Sequence, residues 1–171
     1  MSIHLKSGFL TITGVAALLS LCATAHAAIP ATAFAERYTP VADVTAQLSQ
    51  VVYYRQGIPG EAAPAANIYV DQEFHTALLP GGFTAFCVQP GAHGLSAVQN
   101  DAPAYQGKQQ QPFLSLEAGE TVFIKVGTAD GNVSRIISRE AAEQELAGLQ
   151  RQAHLVSRAS TVQSCGNGAG Q

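Results

Sequence analysis

Along this chain the spacing of apolar residues changes character near residue 138. From about residue 50 to residue 137, short runs rich in β-branched and aromatic residues alternate with turns that contain Gly, Pro, Asn or Asp. Short runs separated in this way are typical of the strands of an antiparallel sandwich or barrel. The predicted strands cover residues 51–54, 67–70, 74–78, 83–88, 93–98, 113–116, 121–126 and 133–137. We therefore predict a mainly β fold, a small antiparallel β-sandwich over residues 50–137.

After the last predicted strand the apolar spacing becomes helical. The apolar residues that recur at steps of three or four are Ala142, Leu146, Leu149, Ala153 and Val156. They would form one stripe along a helix, and Ser138 just before them is a suitable N-cap. We predict one C-terminal amphipathic α-helix over residues 138–158. A tail rich in Gly, Ser and Asn follows over residues 159–171.

The first 27 residues have the layout of a secretory signal peptide. A weakly basic start with Lys6 precedes an uncharged apolar run over residues 8–21, and a small-x-small site ends at Ala27. The run is too short for a comfortable membrane span. We predict that residues 1–27 are removed and that the mature chain begins at Ala28 outside the cytoplasm. Residues 28–49 are predicted to form an extended lead-in to the sandwich.

Cys22 raises the question of a lipid anchor within this signal region. A lipoprotein signal requires a small residue before the cysteine, and the bulky Leu21 stands there instead. The sequence therefore favours free secretion over a lipid anchor at Cys22. Beyond residue 27 no apolar run approaches the length of a membrane helix, so we predict no transmembrane helix in the mature chain.

Composition narrows the function classes. The net charge is −3, only 12% of the residues are charged, and no cluster of Lys or Arg is present. A protein that binds nucleic acid needs such a cluster to neutralise phosphates, so we predict no nucleic-acid partner. The length is that of one ordinary domain.

Two cysteines remain after the predicted cleavage, Cys87 in a predicted strand and Cys165 in the tail. In an oxidising compartment an isolated pair is more often a disulfide than two free thiols. We predict a Cys87–Cys165 disulfide, which chain-entropy arguments credit with about 4 to 5 kcal/mol at most. The alternatives are a buried free Cys87 and an intermolecular link through Cys165.

Motifs for catalysis or metal binding are weak. His75, His93 and His154 do not show the spacing of a zinc site, so we predict neither a metal nor another cofactor. We expect His93 to close the turn at Pro90 by bonding a backbone group, and the other two histidines to lie at the surface. Residues 94–97 lack the second glycine of a nucleophile elbow.

The remaining candidates for catalysis have simpler explanations. Cys87 lies close to His93 in sequence, but its thiol is expected to be oxidised and buried. Asp71 and Glu73 fall in a predicted tight turn, where acidic side chains are mostly solvated. We therefore predict that the protein is not an enzyme.

Aromatic and basic residues offer a candidate binding face. Its members would be Tyr53, Tyr69, Tyr105, Arg151 and Arg158. Such a face could bind a glycan or a peptide. The alternative, which the sequence leaves open, is that the strand tyrosines pack along the sheet and the helix docks on the sandwich.

The order of several short turn motifs resembles a known module. The motifs are Ile-Tyr-Val-Asp at 68–71, Leu-Pro-Gly-Gly-Phe at 79–83, Pro-Gly-Ala-His at 90–93 and Ala-Gly-Glu-Thr at 118–121. With the predicted helix at 145–158 and a later cysteine, this order is similar to the PEGA-type-like N-terminal β-sandwich module of proteobacterial OmpA-like outer-membrane proteins. The peptidoglycan-binding domain would follow, whereas this sequence stops at Gln171, so murein binding is not carried over. The resemblance implies an envelope-associated role.

We therefore expect a non-catalytic cell-envelope accessory or interaction protein, located in the periplasm or at the outer membrane. Its partner would be an envelope or outer-membrane protein met through a sheet edge. The alternative is a periplasmic domain that binds a small ligand or a glycan.

Overall fold

The computed structural model describes residues 31–59, 63–109, 112–127, 134–153 and 156–166. The predicted signal peptide, Cys22, Ala28, His154 and the last five residues of the tail lie outside the described residues. The described part is mainly β, with two sheets and one short helix, as the sequence predicted.

The strands are β1 Phe34–Arg37, β2 Ser49–Tyr54, β3 Ala66–Val70, β4 Glu73–Leu78, β5 Gly82–Val88, β6 Gly91–Gln99, β7 Phe113–Leu116, β8 Thr121–Lys125, β9 Arg135–Ile137 and β10 Gln150–Gln152. The helix α1 covers Arg139–Leu146. One sheet has the order β1-β10-β5-β2-β8-β9 and the other has the order β4-β3-β6-β7. Most neighbouring strands are antiparallel, but β2 runs parallel to β8, and β10 runs parallel to β5.

The two sheets pack face to face, and one apolar cluster lies between them. It contains Val51 and Tyr53 of β2 together with Ile68 and Val70 of β3. The alternate residues of β2, Val52 and Tyr54, lie on the opposite face. All six residues of β2 are therefore buried, because this strand has a covered surface on each side.

The outer face of the six-stranded sheet is covered by the helix. Ala142 and Leu146 of α1 join Leu149, Tyr54 and Phe123 in a second apolar cluster. Ser138 caps the helix, since its hydroxyl accepts from the backbone N–H of Ala141 at 3.4 Å. The predicted N-cap and the first half of the predicted stripe are thus confirmed.

The predicted length of the helix is wrong. Helical structure ends at Leu146, and Gly148 takes a φ of 92°, a left-handed conformation that glycine adopts readily and that ends helices. Leu149 still reaches the second cluster, and the chain then forms β10 where the helix was expected to continue. Val156, the last residue of the predicted stripe, is exposed.

The predicted lead-in over residues 28–49 also differs from the structure, because it contains the edge strand β1.

The β3–β4 hairpin has a two-residue turn and a bulge. Asp71 and Gln72 both have positive φ, 50° and 73°, as a type I′ turn requires. Ile68 lies opposite Thr76, but Tyr69 lies opposite Phe74, so His75 is an extra residue in β4. Regular alternation along β4 would place Phe74 on the same face as Thr76 and His75 on the other. The bulge reverses this, since Phe74 contacts Tyr69 and His75 contacts the core residue Phe86.

Candidate functional site

Residues 157–165, here named the strap, close the opening between β4 and β5. Near its start, the N–H of Arg158 donates to the carbonyl oxygen of Phe74 in β4 at 2.8 Å. Further along, Gln163 and Cys87 of β5 exchange two backbone hydrogen bonds of 2.9 Å. The strap therefore connects an edge of the four-stranded sheet to the six-stranded sheet.

A disulfide between Cys87 and Cys165 holds the end of the strap. The two Cα atoms are 4.9 Å apart and the sulfur atoms are bonded, as predicted. Cys87 is fully buried, and Nε2 of Gln50 donates to the sulfur of Cys165 at 3.4 Å. The disulfide pins the predicted tail to the six-stranded sheet near the end of β5.

Three alternate residues of the β3–β4 hairpin bind strap side chains. The hydroxyl of Thr161 donates to Asp71 at 2.9 Å, and both the N–H and the hydroxyl of Ser160 donate to Glu73, at 2.6 and 2.7 Å. His75 Nδ1 lies 3.0 Å from the hydroxyl of Ser157. The sequence analysis predicted that both carboxylates are solvated. The hydroxyl-rich stretch at 157–161 was the sequence feature that could have indicated these hydrogen bonds.

Asp71 connects the strap to β6. Its Oδ2 also lies 2.8 Å from Nδ1 of His93, and its Oδ1 accepts from the N–H of Gly94 at 2.9 Å. Burial alone would raise the pKa of Asp71, but the bonds from His93, Thr161 and Gly94 bring it below its ordinary value. Nε2 of His93 lies 2.7 Å from the carbonyl oxygen of Gln89, so the predicted closing of the Pro90 turn is confirmed.

His75 is buried, contrary to the prediction of a surface position. Only 2% of the residue is exposed, and its ring centre lies 4.6 Å from that of Phe86. Burial lowers the pKa of His75 to about 4, so the imidazole is neutral near pH 7. The bulge explains the error, because it turns this residue toward the core.

The His75–Ser157 contact has the appearance of a base and a nucleophile. In hydrolytic triads a third group orients the base through its other ring nitrogen. Nε2 of His75 is buried and has no hydrogen-bond partner among the described residues. The contact fastens the strap to β4.

A polar cleft of about 510 Å³ lies beside the strap. Its walls come from the β3–β4 turn, the loop at residues 106–109 and the strap. The lining residues are Asp71, Gln72, Glu73, Gln106, Gly107, Lys108, Gln109, Ser160 and Thr161. Amide and hydroxyl groups dominate this surface, which suits a ligand rich in hydroxyl groups more than an apolar one.

The structure buries two members of the predicted binding face. Tyr53 packs between the sheets in a stacked arrangement with Phe86, at 6.4 Å between ring centres. Tyr69 is covered by a loop, and its hydroxyl accepts from the N–H of Ala104 at 2.8 Å. For both residues the alternative left open by the sequence, packing along the sheet, is the one observed.

The other three members do not share one surface. The guanidinium of Arg158 lies 5.3 Å from the ring centre of Tyr105, which is 49% exposed and packs on Phe74. Arg151 belongs to β10, where it pairs with Glu36 and lies over the ring of Phe83. Phe83 is part of the cluster under the helix, so Arg151 lies beside that cluster. Phe74 belongs to the other sheet, so Tyr105 and Arg158 lie beside that sheet.

The edge strand β7 presents hydrogen-bonding groups to solvent. The N–H and the carbonyl oxygen of Gly94 both bond Asp71, on the side of β6 away from β7. Gly94 and Phe113 are therefore a non-hydrogen-bonded antiparallel pair. By alternation, the N–H and C=O groups of Phe113 and Ser115 point away from β6, toward the free edge.

The strap covers one edge strand of the four-stranded sheet, β4, but it does not cover the other edge strand, β7. At β4 the strap lies against the edge, but at β7 the described residues provide no further strand. Phe113 is 74% exposed, in part because glycine stands opposite it and offers no side chain to cover the ring. No charged residue lies within β7, although charges usually protect such edges. The sequence predicted contact through a sheet edge without identifying which one.

Among the described residues, no group of three or more His, Cys, Asp or Glu side chains could hold a metal ion. No helix in that part of the chain is long and apolar enough to cross a membrane.

Comparison with known proteins found no matching family model, no matching curated protein and no matching solved structure. The function is therefore inferred from the residues of this chain.

Proposed function

We propose that this protein is a non-catalytic accessory protein of the bacterial cell envelope, which binds another envelope protein through the free edge of β7. It acts in the periplasm or at the outer membrane. The observation that carries the proposal is the edge of β7, which no other described strand covers, which contains no charged residue and which carries the exposed Phe113. An edge of this kind is a template for an added strand.

Strand addition at β7 would use both the backbone and the side chains. Phe113 and Ser115 offer two N–H and two C=O groups outward, enough for four hydrogen bonds with an antiparallel partner strand. The exposed ring of Phe113 would add apolar contact. Such short pairing gives modest affinity, which suits an accessory protein that binds and releases its partner.

Export is supported by two features of the chain. Residues 1–27 have the layout of a signal peptide, and Cys87 is bonded to Cys165, as is common outside the cytoplasm. The intact mass of protein isolated from its native envelope fraction tests this. A mass that begins at Ala28 is expected, whereas a chain with residues 1–27 attached would contradict export. A mass that begins at Cys22 with acyl chains would contradict the free periplasmic form.

The resemblance to the N-terminal module of OmpA-like proteins supports an outer-membrane protein as the partner. The motif at 68–71 forms the end of β3 and its turn, and the motif at 90–93 forms the start of β6. The second motif is part of the β6–β7 pair, on which the proposed contact depends, and the first motif lies beside that pair.

The variant Ser115→Pro tests the β7 edge. Proline removes the outward N–H of Ser115 and leaves the bonds between β6 and β7 in place, because those use Leu114 and Leu116. Ser115→Thr keeps the N–H and serves as the matched control. We expect an outer-membrane protein to co-purify with the wild type and with Ser115→Thr but not with Ser115→Pro. Equal recovery with Ser115→Pro would overturn the assignment of the edge.

A second candidate function is binding of a small ligand or a glycan, which the polar cleft beside the strap favours. Its lining of amides, hydroxyls, two carboxylates and one lysine matches the groups that bind sugars. Amide shifts during titration with a soluble peptidoglycan fragment test it. Saturable shifts at residues 106–109 and 160–161 that disappear in Gln106→Ala are expected, and shifts spread over unrelated residues would exclude it.

A further inference from the structure

We infer that the groove between β4 and β5 is an acceptor site for the strap of a second copy of this chain. In the closed chain the groove holds the chain's own strap. The exchanged form would be a two-fold dimer in which each strap lies in the groove of the other copy. This inference does not depend on the proposed function.

The groove makes apolar contacts as well as polar ones. Ala159 of the strap is buried and belongs to the cluster between the sheets, and Val162 packs against the same cluster. Core residues of both sheets would lose this cover if the strap left. The groove of an open chain therefore favours an occupant of similar shape.

The groove also recognises particular side chains. Glu73 and Asp71 accept from the hydroxyls of Ser160 and Thr161, and the carbonyl oxygen of Phe74 accepts from a strap N–H. These donors all belong to the strap, and these acceptors all belong to the hairpin. A second copy offers the same donors in the same order, so its strap fits without any new contact.

The two cysteines divide between acceptor and occupant in the same way. Cys87 lies in the groove and Cys165 lies on the strap. A dithiol reductant gives two electrons and two protons to the Cys87–Cys165 disulfide, which leaves two protein thiols, and the reductant itself becomes a cyclic disulfide. On reoxidation, the thiolate of Cys87 attacks oxidised glutathione and releases one reduced glutathione. The thiolate of Cys165 from either copy then attacks Cys87 of the mixed disulfide and releases the second.

Complementary cysteine variants test the exchange. Cys165→Ser keeps the acceptor thiol, and Cys87→Ser keeps the strap thiol, so neither can form the closed disulfide. After mixing with oxidised glutathione, we expect a covalent heterodimer joined between Cys87 and Cys165. With one of the two variants labelled with ¹⁵N, intact mass distinguishes the heterodimer from homodimers joined through two copies of the same cysteine.

A control tests whether the strap must be seated in the groove. Ala159→Glu, added to the Cys87→Ser chain, places a charge at a buried position and leaves Cys165 unchanged, whereas Ala159→Ser is small enough to fit. We expect Ala159→Glu to lower the heterodimer yield at least about tenfold and Ala159→Ser to leave it nearly unchanged. Equal yields with Ala159→Glu, or no heterodimer at all with Ala159 in place, would overturn the inference.

A second experiment uses the wild-type sequence. A mixture of ¹⁴N- and ¹⁵N-labelled protein is reduced and then reoxidised at rising protein concentration. We expect a dimer fraction that rises with concentration and contains Cys87–Cys165 peptides of mixed label. Mixed-label peptides joined at random between the cysteines, or a strictly monomeric product at every concentration, would overturn the inference.

Discussion

The hydroxyl of Thr161 donates to the carboxylate of Asp71 at 2.9 Å, although the two residues are 90 positions apart in the chain. Asp71 occupies the β3–β4 turn, and the same carboxylate also bonds Gly94 and His93 at the start of β6. One side chain thus joins a hairpin, a neighbouring strand and the strap.

Replacing Asp71 by Asn should destabilise the protein. The amide keeps an acceptor for Gly94 but presents a neutral group to His93 and Thr161, so the charge-assisted bonds are weakened. We expect a loss of about 2 kcal/mol in the free energy of unfolding, measured by urea denaturation at pH 7. Asp101→Asn, which removes an exposed ion pair with Lys108, should change it little. Equal effects of the two substitutions would contradict this role of Asp71.

Reduction of the disulfide should lower stability by up to about 4 kcal/mol, because the bond closes a long loop in the unfolded chain. Its sequence separation is 78 residues. Denaturation with and without a dithiol reductant measures the difference. The double variant Cys87→Ser/Cys165→Ser should be as stable as the reduced wild type and insensitive to the reductant. A reductant effect of the same size in the double variant would show that another group is responsible.

His75 should make stability depend on pH in a defined window. Its pKa is lowered from 6.5 to about 4 in the folded chain, since burial disfavours the charged ring. Between these values the unfolded chain binds a proton that the folded chain does not, so stability is full above pH 6.5 and decreases toward pH 4. The expected decrease from this residue is about 3 kcal/mol.

The variant His75→Asn isolates this effect, because Asn cannot titrate yet can still bond Ser157. As the pH falls from 7 to 4, the wild type should lose about 3 kcal/mol more unfolding free energy than the variant. The two curves of unfolding free energy against pH should therefore converge or cross. Parallel curves for the two proteins would show that folding does not lower the pKa of His75.

The helix should depend on its buried leucine. Leu146 is fully buried in the second cluster, and truncation to Ala leaves a cavity between α1 and the six-stranded sheet. We expect Leu146→Ala to cost about 2 to 4 kcal/mol of unfolding free energy. Gln144→Ala on the exposed side of the same helix is the control and should change stability little. Similar losses in both variants would mean that the helix is not docked through Leu146.

Local sequence patterns were sufficient for most strands and for the disulfide. The run at 51–54 is β-branched and aromatic, and it forms β2. The parallel pairing of β2 with β8 could not be predicted, because it joins distant residues and leaves no local signal. The end of the helix was missed because Leu149 continues the helical spacing, although Gly148 had already turned the chain.

The candidate site was harder to predict from sequence than the fold. Asp71 resembled an ordinary turn carboxylate, and its bond to Thr161 depends on the path of the strap across the sheet edge. His75 was placed at the surface by simple alternation, which the bulge in β4 interrupts. Tyr53 and Tyr69 were predicted to belong to a binding face because aromatic strand residues can form one, but both are fully buried. Phe113 could be predicted to lie in a strand, but its exposure could not be predicted, because that exposure follows from the pairing with Gly94.

Photo-crosslinking in the native cells tests our proposal that the β7 edge binds an envelope protein. Benzoyl-phenylalanine would replace Phe113, with the same substitution at Ile58, an exposed loop residue, as the control. We predict one dominant adduct with an envelope protein from position 113, none from position 58, and loss of the adduct when Ser115→Pro is added. No adduct from position 113, or an adduct that persists with Ser115→Pro, would contradict the claim.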